Sequence, residues 1–344
     1  MSIEQIQETI RIAGERATPL RPRGGGSKDF YGERLEGEIL DTRAHAGISD
    51  YEPSELVLTA RCGTPLKDVE RALEERGQCL PFEPPHFGEA TFGGCIAAGL
   101  SGPRRASVGA LRDFVHGVRL VDGRGRLLGF GGRVMKNVAG YDVSRLIAGS
   151  LGMLGVIAEA SVKVLPRPAC EVTVQLEMPE APALDAMNRL AGQPLPVSAT
   201  AWHDGRLWVR LSGSDTAVRA ARSTIGGEEI AHPWRELREH RHAFFAGDAP
   251  LWRLAVPSAS PPLQLAGEQL VEWHGALRWL RGASHAVRDA ARERGGHATL
   301  FRAADKSAGA FTPLAPAQLA VHRALKSAFD PAGIFSRGRM YGAL

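Results

Sequence analysis

The first apolar positions, Ile3, Ile6 and Ile10, recur at the spacing of one helix face, and Gly14 stands where that helix would end. Thr18-Pro19-Leu20-Arg21-Pro22 reads as a strand running straight into Gly24-Gly25-Gly26, and Leu56 to Ala60 as a second short strand. Pro65 suits the first turn of another helix, with Leu66, Val69 and Leu73 on one face and Gly77 at its end. Leu80-Pro81-Phe82 has the composition of a strand and leads to a turn at Pro84-Pro85. From Asp113 the period becomes two. Val118, Leu120 and Leu127 flank a hairpin turn at Asp122-Gly123-Arg124-Gly125, and Val156 to Leu165 places Ala158, Ala160, Val162 and Val164 on one strand face. Asp142 is placed to cap a helix over 143–148.

Pro166-Arg167-Pro168 interrupts any sheet ladder and marks a boundary. Beyond it, strands are predicted over 171–177, 197–202, 206–211, 251–256, 276–280 and 298–301. Helices are predicted over 181–191, 217–225, 283–294 and 316–329. This alternation fits an α+β unit on an antiparallel sheet. With 344 residues, the chain is long enough for two domains.

Composition narrows the function. The chain is 44% hydrophobic and 23% charged, ordinary for a globular protein. Its 42 basic and 38 acidic residues leave a formal charge of +4, without a basic stripe interleaved with aromatics, so nucleic-acid binding is not suggested. Cys62, Cys79, Cys95 and Cys170 are widely spaced and form no CxxC, so neither a zinc site nor an iron–sulfur cluster is expected within this chain. The acidic start Met1-Ser2-Ile3-Glu4-Gln5-Ile6 and the lack of a long apolar run predict a cytoplasmic protein with no membrane-spanning segment.

Glycine points to the chemistry. In Arg21-Pro22-Arg23-Gly24-Gly25-Gly26-Ser27-Lys28, successive glycines can turn their N–H groups inward as an anion nest. Ser27 would add a hydroxyl, and Arg23 or Lys28 a charge. Alone, the same run also describes an ordinary flexible turn. It has neither a P-loop ending nor a Rossmann fingerprint. Thr91-Phe92-Gly93-Gly94-Cys95-Ile96-Ala97-Ala98-Gly99-Leu100-Ser101-Gly102 is small almost throughout, which suits either a flat ligand or a tightly packed helix. Gly149-Ser150-Leu151-Gly152-Met153-Leu154-Gly155-Val156-Ile157 is a glycine-punctuated turn feeding a strand.

In this order, and with Lys136-Asn137-Val138-Ala139-Gly140-Tyr141-Asp142 between the last two, these segments resemble the FAD domain of vanillyl-alcohol-oxidase-type flavoproteins, also called the PCMH type. The resemblance covers roughly residues 1–165, and Phe329-Asp330-Pro331-Ala332-Gly333-Ile334-Phe335 is similar to that family's closing segment. Leu80-Pro81-Phe82-Glu83-Pro84-Pro85-His86-Phe87-Gly88, Leu100-Ser101-Gly102-Pro103-Arg104-Arg105 and Leu165-Pro166-Arg167-Pro168 resemble, more narrowly, the small FAD-binding subunits of bacterial glycolate oxidases.

The resemblance implies an FAD-binding domain over 1–167, an α+β cap on an antiparallel sheet over 168–310, and a helix and tail over 311–344 returning to the first domain. It implies one FAD and a part in the oxidation of glycolate, a 2-hydroxy acid, to glyoxylate. It also implies a larger FAD-binding subunit and an iron–sulfur subunit as partners, through which a cytoplasmic chain could associate with the membrane. Two alternatives stay open: a self-sufficient FAD-dependent dehydrogenase for a 2-hydroxy acid or sugar, and a non-catalytic flavin-binding scaffold.

Carried over by position, Arg23, Gly24, Gly25, Gly26, Ser27 and Lys28 would embrace the FAD diphosphate. Thr91, Gly93, Gly94, Ala97, Ala98, Gly99 and Ser101 would line the diphosphate and flavin, and Gly155, Val156 and Ile157 would meet the adenine end. Arg112 and Asp113 would lie before a strand near the cofactor. Residues 21–32 contain neither His nor Cys, where many relatives attach FAD through a histidine, so non-covalent FAD is expected. No catalytic residue is assigned. His297 is a candidate base, since histidine titrates in the useful range, but a lone histidine beside a strand is equally a structural residue. His86 and His116 stand nearer the cofactor segments. Arg104 and Arg105 could clamp a carboxylate or lie in solvent, and Lys136 could neutralise the cofactor or anchor a turn.

Overall fold

The computed structural model describes residues 1–132, 141–231, 233–282 and 286–344. Lys136 to Gly140 of the motif above, and the first three residues of the helix expected over 283–294, lie outside them.

The amphipathic start forms α1 (Ile3–Arg16), opened by a capping box in which Ser2 and Gln5 exchange side-chain and backbone bonds. Its end is a correction: Gly14 stays inside the helix, and Ala17, at φ 52°, makes the left-handed cap. A mid-helix glycine costs only about 1 kcal/mol, so Gly14 by itself does not stop the helix.

Among the described residues, the N-terminal region holds three sheets. β1 (Leu20–Arg23) and β2 (Glu38–Asp41) pair in parallel. An antiparallel sheet of five strands follows, built from β3 (Ile48–Glu52), β4 (Val57–Arg61), β6 (Val115–Val121), β7 (Leu127–Gly131) and β8 (Val156–Lys163) in the order β3-β4-β8-β6-β7. Between β4 and β6 come α2 (Leu66–Glu74), α3 (Phe92–Ala98) and α4 (Arg105–Val108). Leu66, Val69 and Leu73 of α2 and Phe92 and Ile96 of α3 share a core with Leu58, Leu120 and Val162 of the sheet. α5 (Val143–Ile147) is capped by Asp142, which accepts from the Arg145 N–H, as expected. Leu80-Pro81-Phe82 is not a strand. The pairing occurs one step earlier, where β5 (Gln78–Cys79) meets β9 (Leu165–Pro166), and Glu83, at φ 45°, then turns the chain.

The second half folds as one antiparallel sheet of eight strands. They are β10 (Cys170–Glu177), β11 (Val197–His203), β12 (Arg206–Gly213), β13 (Glu228–Ile230), β14 (Leu251–Ala255), β15 (Glu268–Glu272), β16 (Leu277–Arg281) and β17 (His297–Arg302), in the order β13-β10-β12-β11-β15-β16-β14-β17. α6 (Glu180–Ala191), α7 (Asp215–Ile225), α8 (Trp234–Arg238) and α9 (Val287–Glu293) join it. Strands β2, β3, β13 and β15 were not anticipated. Each is short and carries several charged or exposed positions, so neighbouring strands decide its state more than its own pattern does.

α10 (Pro316–Phe329) leads into a turn organised by buried Asp330, whose carboxylate accepts from the Ile334 and Phe335 N–H groups and from Lys326 Nζ. The tail then meets β1: Leu20 donates to the Ile334 carbonyl and Ser336 donates to the Leu20 carbonyl. No helix among the described residues is long and apolar enough to cross a membrane.

Candidate functional site: a backbone-lined cleft

β1, the N-terminal end of α3 and the start of β8 converge on one cleft, open on one side. It is lined by Arg23 through Lys28, Thr91, Gly93, Gly94, Ala97, Ala98, Gly155, Val156 and Ile157. The three glycine-rich segments, far apart in sequence, therefore share one wall.

The glycines serve close approach. A Cβ on Gly24 would lie 2.0 Å from Thr91 Oγ1, one on Gly25 1.4 Å from the Glu89 carbonyl oxygen, and one on Gly93 2.4 Å from Cys62 Cβ. Only hydrogen in place of a side chain lets these backbones pack. Gly26 differs from them. At φ +72° it turns the chain back, over the guanidinium of Arg23. Arg23 in turn binds Asp29 (Nε to Oδ2, 2.8 Å) and braces the loop.

This turn frees a row of donors. Among the described residues, the N–H groups of Gly24, Gly25, Gly26, Ser27 and Lys28 have no hydrogen-bond acceptor. By contrast, the N–H groups of Phe92, Gly93 and Gly94 are taken by the Thr64 carbonyl, the Cys62 carbonyl and Thr91 Oγ1. The loop, not the helix start, is thus the donor surface. Five adjacent N–H groups without an acceptor among the described residues, in a loop that lines the cleft, are what an anion nest requires.

Cations surround it. Lys28 Nζ donates to the His86 carbonyl at 3.2 Å, and burial lowers its pKa. Arg339, from the C-terminal tail, ties down the carbonyls of Lys28, Asp29 and Glu33, and burial brings its pKa down to about 10. Arg21 also lines the cleft, and its buried Nε has no partner among the described residues. Such an orphaned donor beside a nest fits a phosphate-bearing ligand. Arg339, Ser336, Thr42 and Cys62 line the cleft without having been anticipated. They come from segments with no glycine signature, and only the fold brings them in.

Two expected lining residues are elsewhere. Gly99, at φ +64°, ends α3 and packs against Gly149, where a Cβ would stand 2.8 Å from Cα. Ser101 points its hydroxyl to the Leu111 N–H and lines a smaller pocket nearer the second sheet. The single-residue candidates also disperse. His297 begins β17 and does not line the cleft. His86 pairs with Glu70 at 2.9 Å, and His116 has a buried Nε2 without a partner among the described residues. Arg104 lines an outer groove with Glu83 and Glu171, while Arg105 stacks over Trp273. Asp113 accepts from Ala110 N–H, and neither it nor Arg112 lines the cleft. No group of three or more His, Cys, Asp or Glu among the described residues is placed to hold a metal ion.

The family profile described as FAD binding domain matches residues 1–131. The glycolate oxidase subunit GlcE of Escherichia coli strain K12 is 48% identical over 346 residues, covering 99% of this chain and 97% of that protein. The glycolate oxidase subunit GlcD of Bacillus subtilis strain 168 is 34% identical over 50% of this chain and 37% of its own length. A D-lactate dehydrogenase of Archaeoglobus fulgidus is 32% identical over 66% of this chain and 54% of its own. Among solved structures, alkyldihydroxyacetonephosphate synthase superimposes with a TM-score of 0.67 over 96% of this chain and 74% of its own at 15% identity, which is a likeness of fold. The free donors of the nest, the orphaned Arg21 and the backbone-lined cleft agree with that profile, and FAD is the cofactor they indicate. End-to-end similarity at this level settles the family: this chain is a member of the glycolate oxidase subunit GlcE family and carries its FAD binding domain at the N-terminal end.

Proposed function

We propose that this chain is the FAD-binding subunit of a glycolate oxidase complex and takes part in oxidising glycolate to glyoxylate. The observation that carries this reading is the 48% identity to a glycolate oxidase subunit over nearly the whole of both chains. The N–H groups of Gly24 to Lys28, with Arg21, would hold the diphosphate. Thr91, Gly93, Gly94, Ala97 and Ala98 would form the wall beside it, and Gly155, Val156 and Ile157 would meet the far end. Arg339 fixes the loop by tying its carbonyls to the tail. Bound there, the isoalloxazine supplies the redox chemistry by which a 2-hydroxy acid loses its hydride equivalent. The protein contributes position, donors and the exclusion of water.

Attachment is non-covalent in this reading. Residues 21–32 hold no His or Cys. Burial pushes the Cys62 thiol well up and that of Cys95 up to about 12, so neither offers a thiolate. The partners are a larger flavin subunit of the GlcD kind and an iron–sulfur subunit that carries electrons onward, and any membrane association runs through them.

The test is an absorbance spectrum of the purified chain, acid precipitation, and anaerobic glycolate added to the assembled complex. The expected results are a flavin band, its full release to the supernatant, and its bleaching in the complex. A colourless chain that takes up no FAD overturns the cofactor assignment. Yellow precipitated protein overturns non-covalent binding, and a complex unreduced by glycolate overturns the substrate.

A further inference from the structure

Residues 86–89 lie between the nest and the second sheet. Gly25 packs on the Glu89 carbonyl from one side, and Glu239 reaches His86 and Phe87 from the other. The backbone here is strained: Phe87 sits at φ 53°, a left-handed conformation that is uncommon for a bulky side chain. What holds it is a single carboxylate. The N–H groups of His86 and Phe87 both donate to Glu239, at 3.1 and 3.0 Å. Glu239 is buried at the end of α8, and α8 is tied to β10 because Trp234 Nε1 donates to Thr173 Oγ1 at 2.8 Å. Glu239 does not itself line the cofactor cleft.

One peptide unit joins the two sides. The His86 carbonyl accepts from Lys28 Nζ at 3.2 Å, and the N–H that follows it, on Phe87, donates to Glu239 Oε2. In a trans peptide these two groups point in opposite directions. An ammonium therefore stands at the oxygen end of one amide dipole and a carboxylate at its hydrogen end. Both charges polarise that amide in the same sense, so each bond strengthens the other. Burial works against the Glu239 carboxylate, yet the Phe87 and His86 N–H groups and Arg238 hold its pKa below the ordinary value, so it carries its charge. Burial also lowers the pKa of Lys28, and Cys95 and Glu239 oppose that fall. The Cys95 thiol, pushed up to about 12, is neutral, which leaves Glu239 as the counter-charge. The other acceptor of Lys28 is the Ser27 hydroxyl, at 3.4 Å.

We propose that Glu239 is a positioning residue for the cofactor: acting through the 86–87 peptide, it fixes the Lys28 ammonium at the nest and couples retention of FAD to the docking of the second sheet. The N–H groups of the nest belong to the N-terminal region alone. Lys28, in the same cleft, takes its place from the second half of the chain. Neither side can shift without the other losing a charge-assisted bond. The inference rests on the reading above for the place of Lys28 beside the diphosphate.

The decisive experiment is a double-substitution cycle on FAD affinity, read by flavin fluorescence on the full chain. It compares wild type, Lys28→Met, Glu239→Gln and the two together. Each single change is expected to raise the dissociation constant about tenfold, the lower end of what a charge-assisted hydrogen bond contributes. The pair is expected to match Lys28→Met alone, because Glu239 acts through Lys28. A Glu239→Gln loss of the same factor in both backgrounds, or no loss at all, overturns the proposal and leaves the cofactor reading standing. A second readout leaves Glu239 intact and decides where Glu239→Gln does not fold. With isotope-labelled phenylalanine, the Phe87 amide proton of the flavin-free chain is expected to move upfield on Lys28→Met, as the amide loses its polarising cation. A Phe87 proton that stays in place overturns the coupling. Unchanged FAD affinity in Lys28→Met removes Lys28 from the site and the proposal with it. A wild-type chain that takes up no FAD overturns the cofactor reading itself, and the proposal falls with it.

Discussion

Arg21 shows how one residue can separate folding from binding. Its Nε is buried at the cleft and has no protein partner among the described residues, so its removal breaks no internal hydrogen bond at that atom. A charge-assisted hydrogen bond contributes roughly 1.5–3 kcal/mol, which corresponds to about tenfold to a hundredfold in affinity. Arg21→Met should therefore keep the melting temperature of the flavin-free protein close to wild type and raise the dissociation constant for FAD by that factor, read by flavin fluorescence. An unchanged affinity would remove Arg21 from the site. Arg23, in the same strand, differs because it is already bound to Asp29.

At the scale of elements, the loop after β1 works because three backbones pass within van der Waals distance of each other. Gly25 is the tightest point. Its missing Cβ faces the Glu89 carbonyl and not the cleft. Gly25→Val should consequently act through packing. The loop and the 88–91 segment must separate, with a loss of several kcal/mol by the usual measure of overpacking and backbone strain. Both flavin content and the thermal midpoint should fall together. Loss of flavin with an unchanged midpoint would mean that the side chain enters the cleft after all. The same geometry explains which elements were readable. α1, α2 and the β6–β7 hairpin carry their own periodicity and turn residues. β2 and β15 do not, and become strands because β1, β11 and β16 offer them ladders.

For the whole molecule, the question is what keeps the two large sheets in register around the cleft. Polar contacts span the gap: Arg210 with Glu83 at 2.9 Å, and the Glu239 carboxylate with the N–H groups of His86 and Phe87. Lys306 is the most connected. Its Nζ donates to the carbonyls of Phe30 at 2.5 Å, Gly32 at 3.0 Å and Phe301 at 3.3 Å, joining β17 to the segment just after the nest. Burial lowers its pKa to about 8, so desolvation offsets part of the gain. Lys306→Met leaves three carbonyls without their donor and should cost ~2–4 kcal/mol. It should be seen as a lower urea midpoint, with faster proteolysis around 28–33. An unchanged midpoint would show that the other contacts suffice to hold the second sheet in place.

The chain's own pattern determined a good deal. Helix faces, hairpin turns, the proline boundary and the order of the glycine-rich segments are local properties, set by side-chain period and by which residues tolerate left-handed or closely packed backbone. Those local rules marked the glycine-rich segments, and it was the family resemblance, carried over by position, that named most of the residues that line the cleft. They could not tell the glycines apart by role, because the atoms that a Cβ on Gly24 or Gly25 would meet belong to Thr91 and Glu89, which only the fold brings beside them. Nor could they find Arg339 or Lys306. Each is an unremarkable basic residue in its own sequence neighbourhood. It acquires a role only when folding removes it from water and decides whether an acceptor stands opposite. Burial and the presence or absence of a partner are properties of the assembled structure, and it is there that this chain places its charges.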